Sequence, residues 1–136
     1  MKKLMVNKGI TLIKSGDFEL NNLSDILKIN GLNSSIAEIT VSNSKKELTI
    51  GHFIMTPGSE FEYIYDSIEF KVITKGTIIA KDIEGHKFIA HVGDVLLFTA
   101  NTKVIFDGDS DGEAIYGTQG KAAKELHPKN FMETLI

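Results

Sequence analysis

The chain contains no cysteine, which excludes disulfide frameworks, cysteine-ligated zinc clusters and thiol nucleophiles together. It also has no lysine- or arginine-rich block. Lys and Arg number 15 against 18 Asp and Glu, a net charge of −3, so a nucleic-acid backbone is not an expected partner. No apolar stretch approaches the ~20 residues that a membrane span needs. Met1 to Lys3 opens like a signal peptide, but the apolar run that should follow is broken by Asn7, Lys8, Lys14 and Asp17. There is no G-x-S-x-G elbow and no Walker loop, so neither acyl transfer nor P-loop chemistry has support. Internal repeats and low-complexity linkers are missing too. These absences point to a cytoplasmic protein with neither a membrane nor a nucleic acid as partner.

What is present reads as one globular β domain of 136 residues, with 42% hydrophobic and 24% charged residues. Period-two alternation far outweighs period 3.6. Strands are expected over Ile36–Val41, Glu47–Met55, Phe61–Tyr65, Ser67–Ile73, Thr77–Ile83, Lys87–Ala90, Asp94–Phe98, Lys103–Phe106 and Glu113–Thr118. Lys75-Gly76 reads as a tight turn, as does Glu84-Gly85. Asp94–Phe98 is nearly all apolar, which implies cover on both faces. The last two strands are expected to pair across the loop Asp107-Gly108-Asp109-Ser110-Asp111-Gly112. So many short, evenly spaced strands imply a closed barrel or sandwich. Leu23–Ile29 should form a helical turn or two, capped by Asn22 or Ser24 and stopped by Gly31. Lys121–Leu126 and Lys129–Ile136 are helical in composition. The expected organisation is an N-terminal arm (1–35), a barrel (36–118) and a C-terminal helical tail (119–136).

Tyr63, Tyr65, Glu69 and Gly76, following Gly58, carry the spacing H-x-H-x3-E-x6-G of the first cupin motif, with tyrosine in place of both histidines. Gly93-Asp94 opens the second motif. Thr99 and Asn101 stand where that motif has proline and glycine, and Val104 where it has histidine. The string Tyr65-Asp66-Ser67-Ile68-Glu69-Phe70, then Val72-Ile73 and Gly76, resembles the YDEIDYVIEG-type string of EutQ-type cupins. The resemblance covers about residues 48–118. It implies an all-β, jelly-roll-like cupin barrel with short helical segments near both ends, and a homodimer. Three of the four usual metal ligands are replaced. Two phenols, a carboxylate and a valine cannot make a site that wants two or three imidazoles plus a carboxylate, so neither a metal nor another cofactor is expected.

If Glu69 points inward, as the resemblance implies, alternation sends Lys71 and Ile73 inward as well, and Phe61, Tyr63 and Tyr65 share the facing surface. Glu69, Lys71 and Tyr65 are then the candidate catalytic groups, and Tyr63, Tyr65, Glu69 and Lys71 the candidate ligand-binding set. A cross-strand structural pair for Glu69 and Lys71, and simple core packing for both tyrosines, are the competing readings. The loop Asp107–Gly112 copies half of a calcium loop, but Thr118 stands where the bidentate glutamate belongs, so it reads as an acidic hairpin loop. None of His52, His86, His91 and His127 has metal-ligand spacing to another. Two functions remain open. One is an EutQ-like cupin binding a small anionic or phosphorylated metabolite, which the resemblance would place in ethanolamine utilisation with microcompartment proteins as partners. The other is a non-catalytic homodimeric binding or assembly module with a largely filled barrel.

Overall fold

The alternation of apolar and polar residues produces strands almost wherever it occurs. The computed structural model describes residues 5–7, 10–43 and 46–119. In chain order it contains β1 (Met5–Asn7), β2 (Ile10–Leu12), β3 (Leu20–Asn22), α1 (Leu23–Leu27), β4 (Ser34–Asn43), β5 (Lys46–Met55) and β6 (Phe61–Tyr65). Then come β7 (Glu69–Lys81), β8 (Lys87–His91), β9 (Val95–Phe98), β10 (Thr102–Phe106) and β11 (Asp111–Gln119). β1 and β2 pair with each other. The other nine strands make one antiparallel sheet with the order β3-β4-β5-β11-β7-β10-β6, to which β8 and β9 add through β7. The sheet curls on itself into the barrel that the sequence implies.

β7 makes the curl. Its first half pairs with β11 on one side and β9 on the other, and its second half pairs with β8 and β10. Between the halves Thr74 is an extra residue: Ile73 faces Ala114 and Lys75 faces Glu113. Such a bulge bends a strand and reverses which residues face inward. Glu69, Lys71 and Ile73 are therefore buried before it, and Ile78 and Ala80 after it. Gly76 takes a left-handed φ of +63°, and a Cβ there would collide with the Asp111 carbonyl. The expected tight turn at Lys75-Gly76 is thus a bulge within one continuous strand.

Three other expectations change. β10 and β11 do not pair; β10 lies against β6 and β7, β11 between β5 and β7. β9 is not covered on both faces, because Val95 and Leu97 are exposed. α1 is capped by Asn22, whose Oδ1 accepts from the Ser24 N–H, but it ends at Lys28 (φ 58°), three residues before Gly31. The helical segments expected over 121–126 and 129–136 lie outside the described residues. Asn101, standing at the motif's glycine position, takes φ +64°, a conformation asparagine tolerates better than most residues.

The core gathers Phe53, Met55, Phe61, Ile73, Ile78, Phe98, Val104, Phe106 and Ala114. Phe61 stacks on Phe106 with ring centroids 5.1 Å apart, and Phe53 lies 5.3 Å from Phe106. This aromatic floor sits directly beneath the polar groups described next.

Candidate functional site

The polar groups of the barrel interior lie on cross-strand rows. β4, β5, β11 and β7 align Glu38, Gly51, Tyr116 and Lys71 as successive neighbours. The side chains of Glu38, Tyr116 and Lys71 point inward, and all four residues are buried. Gly51 has a packing reason: a Cβ there would collide with the Tyr116 ring. With no side chain in the way, Tyr116 lies across Gly51, and its hydroxyl donates to Glu38 Oε2 at 2.6 Å.

Glu69 stands two residues before Lys71 on the same face of β7. Its Oε2 accepts from the Tyr65 hydroxyl at 2.6 Å and pairs with Lys71 Nζ at 3.0 Å. Lys71 Nζ also lies over the rings of Tyr116 (4.2 Å), Phe53 (4.5 Å) and Phe106 (5.5 Å). Aromatic faces attract a cation, the more so when water is excluded. Tyr65 stacks on Phe98 at 4.6 Å, and Tyr63 meets Tyr65 edge-on at 4.7 Å from its half-buried place at the mouth.

Burial, followed by the field of the Glu69 carboxylate, pushes the phenols of Tyr63 and Tyr65 well above their ordinary value. Burial and then Glu38 do the same for Tyr116. All three phenols are therefore neutral donors at physiological pH. That bears on the metal that cupins of this motif hold. Two of the four ligand positions carry neutral phenols and a third, Val104, is core. The one carboxylate is paired with an ammonium that already supplies the positive charge. The donor set does not fit a transition metal.

The structure brings Tyr65, Glu69 and Lys71 into direct contact and leaves Tyr63 beside them. Sequence reasoning missed the second carboxylate–phenol pair, Glu38 and Tyr116, and the glycine that admits it. The only signal was an acidic residue inside a strand; its partner lies 78 residues away. Elsewhere, Asp107 is buried and lies 3.4 Å from Lys81 Nζ and 3.5 Å from Lys87 Nζ, and its Oδ1 accepts from the Asp109 N–H. The first carboxylate of the acidic loop, Asp107, is thus tied to lysines. His52 packs edge-on against Phe18 and His86 bonds Asp82. His91 lies 3.3 Å from Thr77 Oγ1, and His127 falls outside the described residues.

The space left inside is small. The cavity bounded by Tyr63, Tyr65, Glu69, Lys71, Phe53 and Tyr116 has a volume of about 30 Å³, the share of one water molecule in the liquid. Pockets for drug-sized ligands run to about 300 Å³ or more. Among the described residues no buried side-chain nitrogen or oxygen lacks a partner.

A curled antiparallel sheet with these two motifs at its centre is the cupin fold, and comparison with solved structures places the chain there. A EutQ protein from Clostridium difficile superimposes with a TM-score of 0.62 at 20% identity, covering 80% of this chain and 79% of that one. An ethanolamine utilization protein Q from Salmonella typhimurium LT2 gives 0.62 at 13% identity, covering 85% and 91%. An RmlC-like cupin from Shewanella frigidimarina gives 0.61 at 11%, covering 84% and 94%. The chain is therefore a cupin in fold, and it resembles the EutQ proteins among them. At these identities the likeness concerns the fold alone. No family model and no curated protein matches the sequence. None of the described helices is long and apolar enough to cross a membrane.

Proposed function

We propose that the chain is a non-catalytic binding or assembly module, working from its outer surface, with a barrel interior filled by its own side chains. The observation that carries this is the self-satisfied polar network around a cavity of about 30 Å³. Glu69 is engaged by Tyr65 and Lys71, so neither the carboxylate nor the ammonium is presented to a substrate. For either to act as acid, base or anchor, the pair would first have to separate inside an aromatic shell.

A second reading keeps the barrel as the site of a small anionic or phosphorylated metabolite held by Lys71, with Glu69 and Tyr65 as acid–base groups. It would make the protein cytoplasmic, in ethanolamine utilisation beside microcompartment proteins. The fold shared with EutQ proteins and the position of Tyr63 at the mouth favour it.

Thermal unfolding separates the two. The full chain and its Glu69→Gln and Lys71→Met variants are heated with magnesium–ATP, acetyl phosphate, acetate and divalent metals in turn. A ligand at 100 times its Kd adds about 2.7 kcal/mol, or roughly 10 °C for a domain of this size. The module reading expects no saturable shift with any of them. A shift in the parent that both variants lose would replace it with the metabolite reading.

A further inference from the structure

The outer face of the barrel around β9 is more apolar than a free surface should be. Leu48, Ile68, Phe70 and Leu97 line one groove of about 150 Å³. Phe88, Val95 and Leu97 line another of about 360 Å³ on the opposite flank, so the two grooves meet at Leu97. Each of these six side chains is between 44% and 63% exposed. Together they present roughly 500 Å² of apolar area, near the upper end for the largest patch on a monomer. The described chain leaves the barrel at the same place. Gln119, the last residue of β11, lines the smaller groove. Its carbonyl accepts from the Ser67 hydroxyl, and its N–H donates to the Ile68 carbonyl at 3.4 Å. The exit is thereby fixed at the rim of the groove.

From this geometry we infer that residues 120–136 fold back within the same chain and seat Phe131, Met132, Leu135 and Ile136 on the β9 face. Three features select this segment as the occupant. The first is reach. β11 and β9 both pair with the first half of β7, so at ~4.8 Å per strand β9 lies about 10 Å from Gln119. Residues 120–127, wound as a helix at ~1.5 Å each, extend about 12 Å, and Pro128 is suited to start a second helix in a new direction. Residues 131–136 then arrive over the larger groove. The second feature is pattern. Phe131, Met132, Leu135 and Ile136 recur at i, i+1, i+4 and i+5, which gathers them on one stripe of a helix, the shape that fills an apolar groove. The third is tethering. A segment joined to the rim meets the face at an effective concentration on the order of mM, ahead of any free partner. Among the described strands β9 pairs with β7 alone, and a helix laid along its other edge is one way in which a sheet edge is protected.

The inference goes beyond the module reading and does not depend on it; its failure would leave the filled barrel untouched. Because the chain has no cysteine, two introduced ones report on a single contact. Val95→Cys combined with Leu135→Cys, treated as the full chain with a short bis-maleimide, should crosslink within one chain and give a product of single-chain mass. Leu20→Cys combined with Leu135→Cys should react at least about tenfold more slowly, since Leu20 is exposed on β3 at the far end of the sheet. Trypsin supplies a second readout. Lys124 and Lys129 should be cut slowly in the parent, and at least about tenfold faster in Leu97→Asp, which puts a charge beneath the docked segment. The milder Leu97→Ser should fall between the two, and the circular dichroism of the barrel should be unchanged in both. Equal crosslinking rates in the two cysteine pairs would overturn the inference, as would parent lysines cut as fast as those of Leu97→Asp. Crosslinks that join two chains would overturn it as well, and would give the face to a second copy.

Discussion

Replacing Lys71 by methionine removes the ammonium and keeps the stem, so the loss is nearly all electrostatic. Lys71 and Glu69 are 4% and 6% exposed and 3.0 Å apart. At an effective dielectric constant of about 20 their attraction is roughly 5.5 kcal/mol, much of it offset by desolvation. Removing one partner of such a pair costs about 3–5 kcal/mol, because the other charge stays buried. Glu69 keeps the Tyr65 hydroxyl, which argues for the low end. We expect a loss of about 3 kcal/mol, near 12 °C in Tm for a domain of this size. Glu69→Gln should cost about as much, since it strands Lys71. The double variant has no buried charge at this point and should fall within about 1 kcal/mol of the parent. Urea unfolding followed by circular dichroism, read as a double-mutant cycle, should then give a coupling of about 5 kcal/mol. Single losses below about 1 kcal/mol would mean that water reaches the pair, and additive losses would mean that the two groups do not depend on each other. Either result would refute the claim that the barrel interior is closed around them.

Three further outcomes follow from the same geometry. The chain has three tyrosines, all of them in the interior network with raised pKa values. The native protein should therefore show no phenolate absorbance near pH 10, and stability held below pH 10 should fall as pH rises beyond it, since the unfolded chain ionises first; a tyrosine titrating normally in the folded state contradicts this. Gly51→Ala should cost about 3 kcal/mol in urea unfolding, because the added methyl displaces Tyr116 and leaves Glu38 without its 2.6 Å donor; a loss under about 1 kcal/mol would show that the row relaxes freely. The Asp109 N–H, against an opposing desolvation and helped by Lys81 and Lys87, holds the Asp107 carboxyl below its usual range. Its contribution is present above about pH 4 and is lost as pH falls through the lowered value, so Asp107→Asn should flatten the acid limb of the stability profile.

How far the sequence could be read depended on whether its signals were local. Phe61–Tyr65 was legible to the residue, because a short aromatic and β-branched run is bounded by turn residues on both sides. The inward parity of Glu69, Lys71 and Ile73 followed from the cupin spacing and a two-residue period. Gly76 misled because a glycine at positive φ marks a turn or a bulge equally well, and only the facing strand decides which. Val95–Phe98 misled for another reason: an apolar run looks the same whether it is covered on both faces or exposed on one. Glu38 was hidden because its neighbours Ala37 and Ile39 are themselves buried, so the strand shows no alternation that would set one face apart as the inner one. Nothing local ties it to Tyr116.

The place of β11 sets the order in which the protein can be made. It lies between β5 and β7, yet it follows both in the chain, so on a ribosome those two strands emerge long before the one that separates them. Until Gln119 is out, each has one edge of main-chain donors and acceptors exposed, and the row from Glu38 to Lys71 is split in two. Closure must therefore come after synthesis of β11. A stall before Asp111 would leave two free strand edges and would release an aggregation-prone chain, not a partly working one.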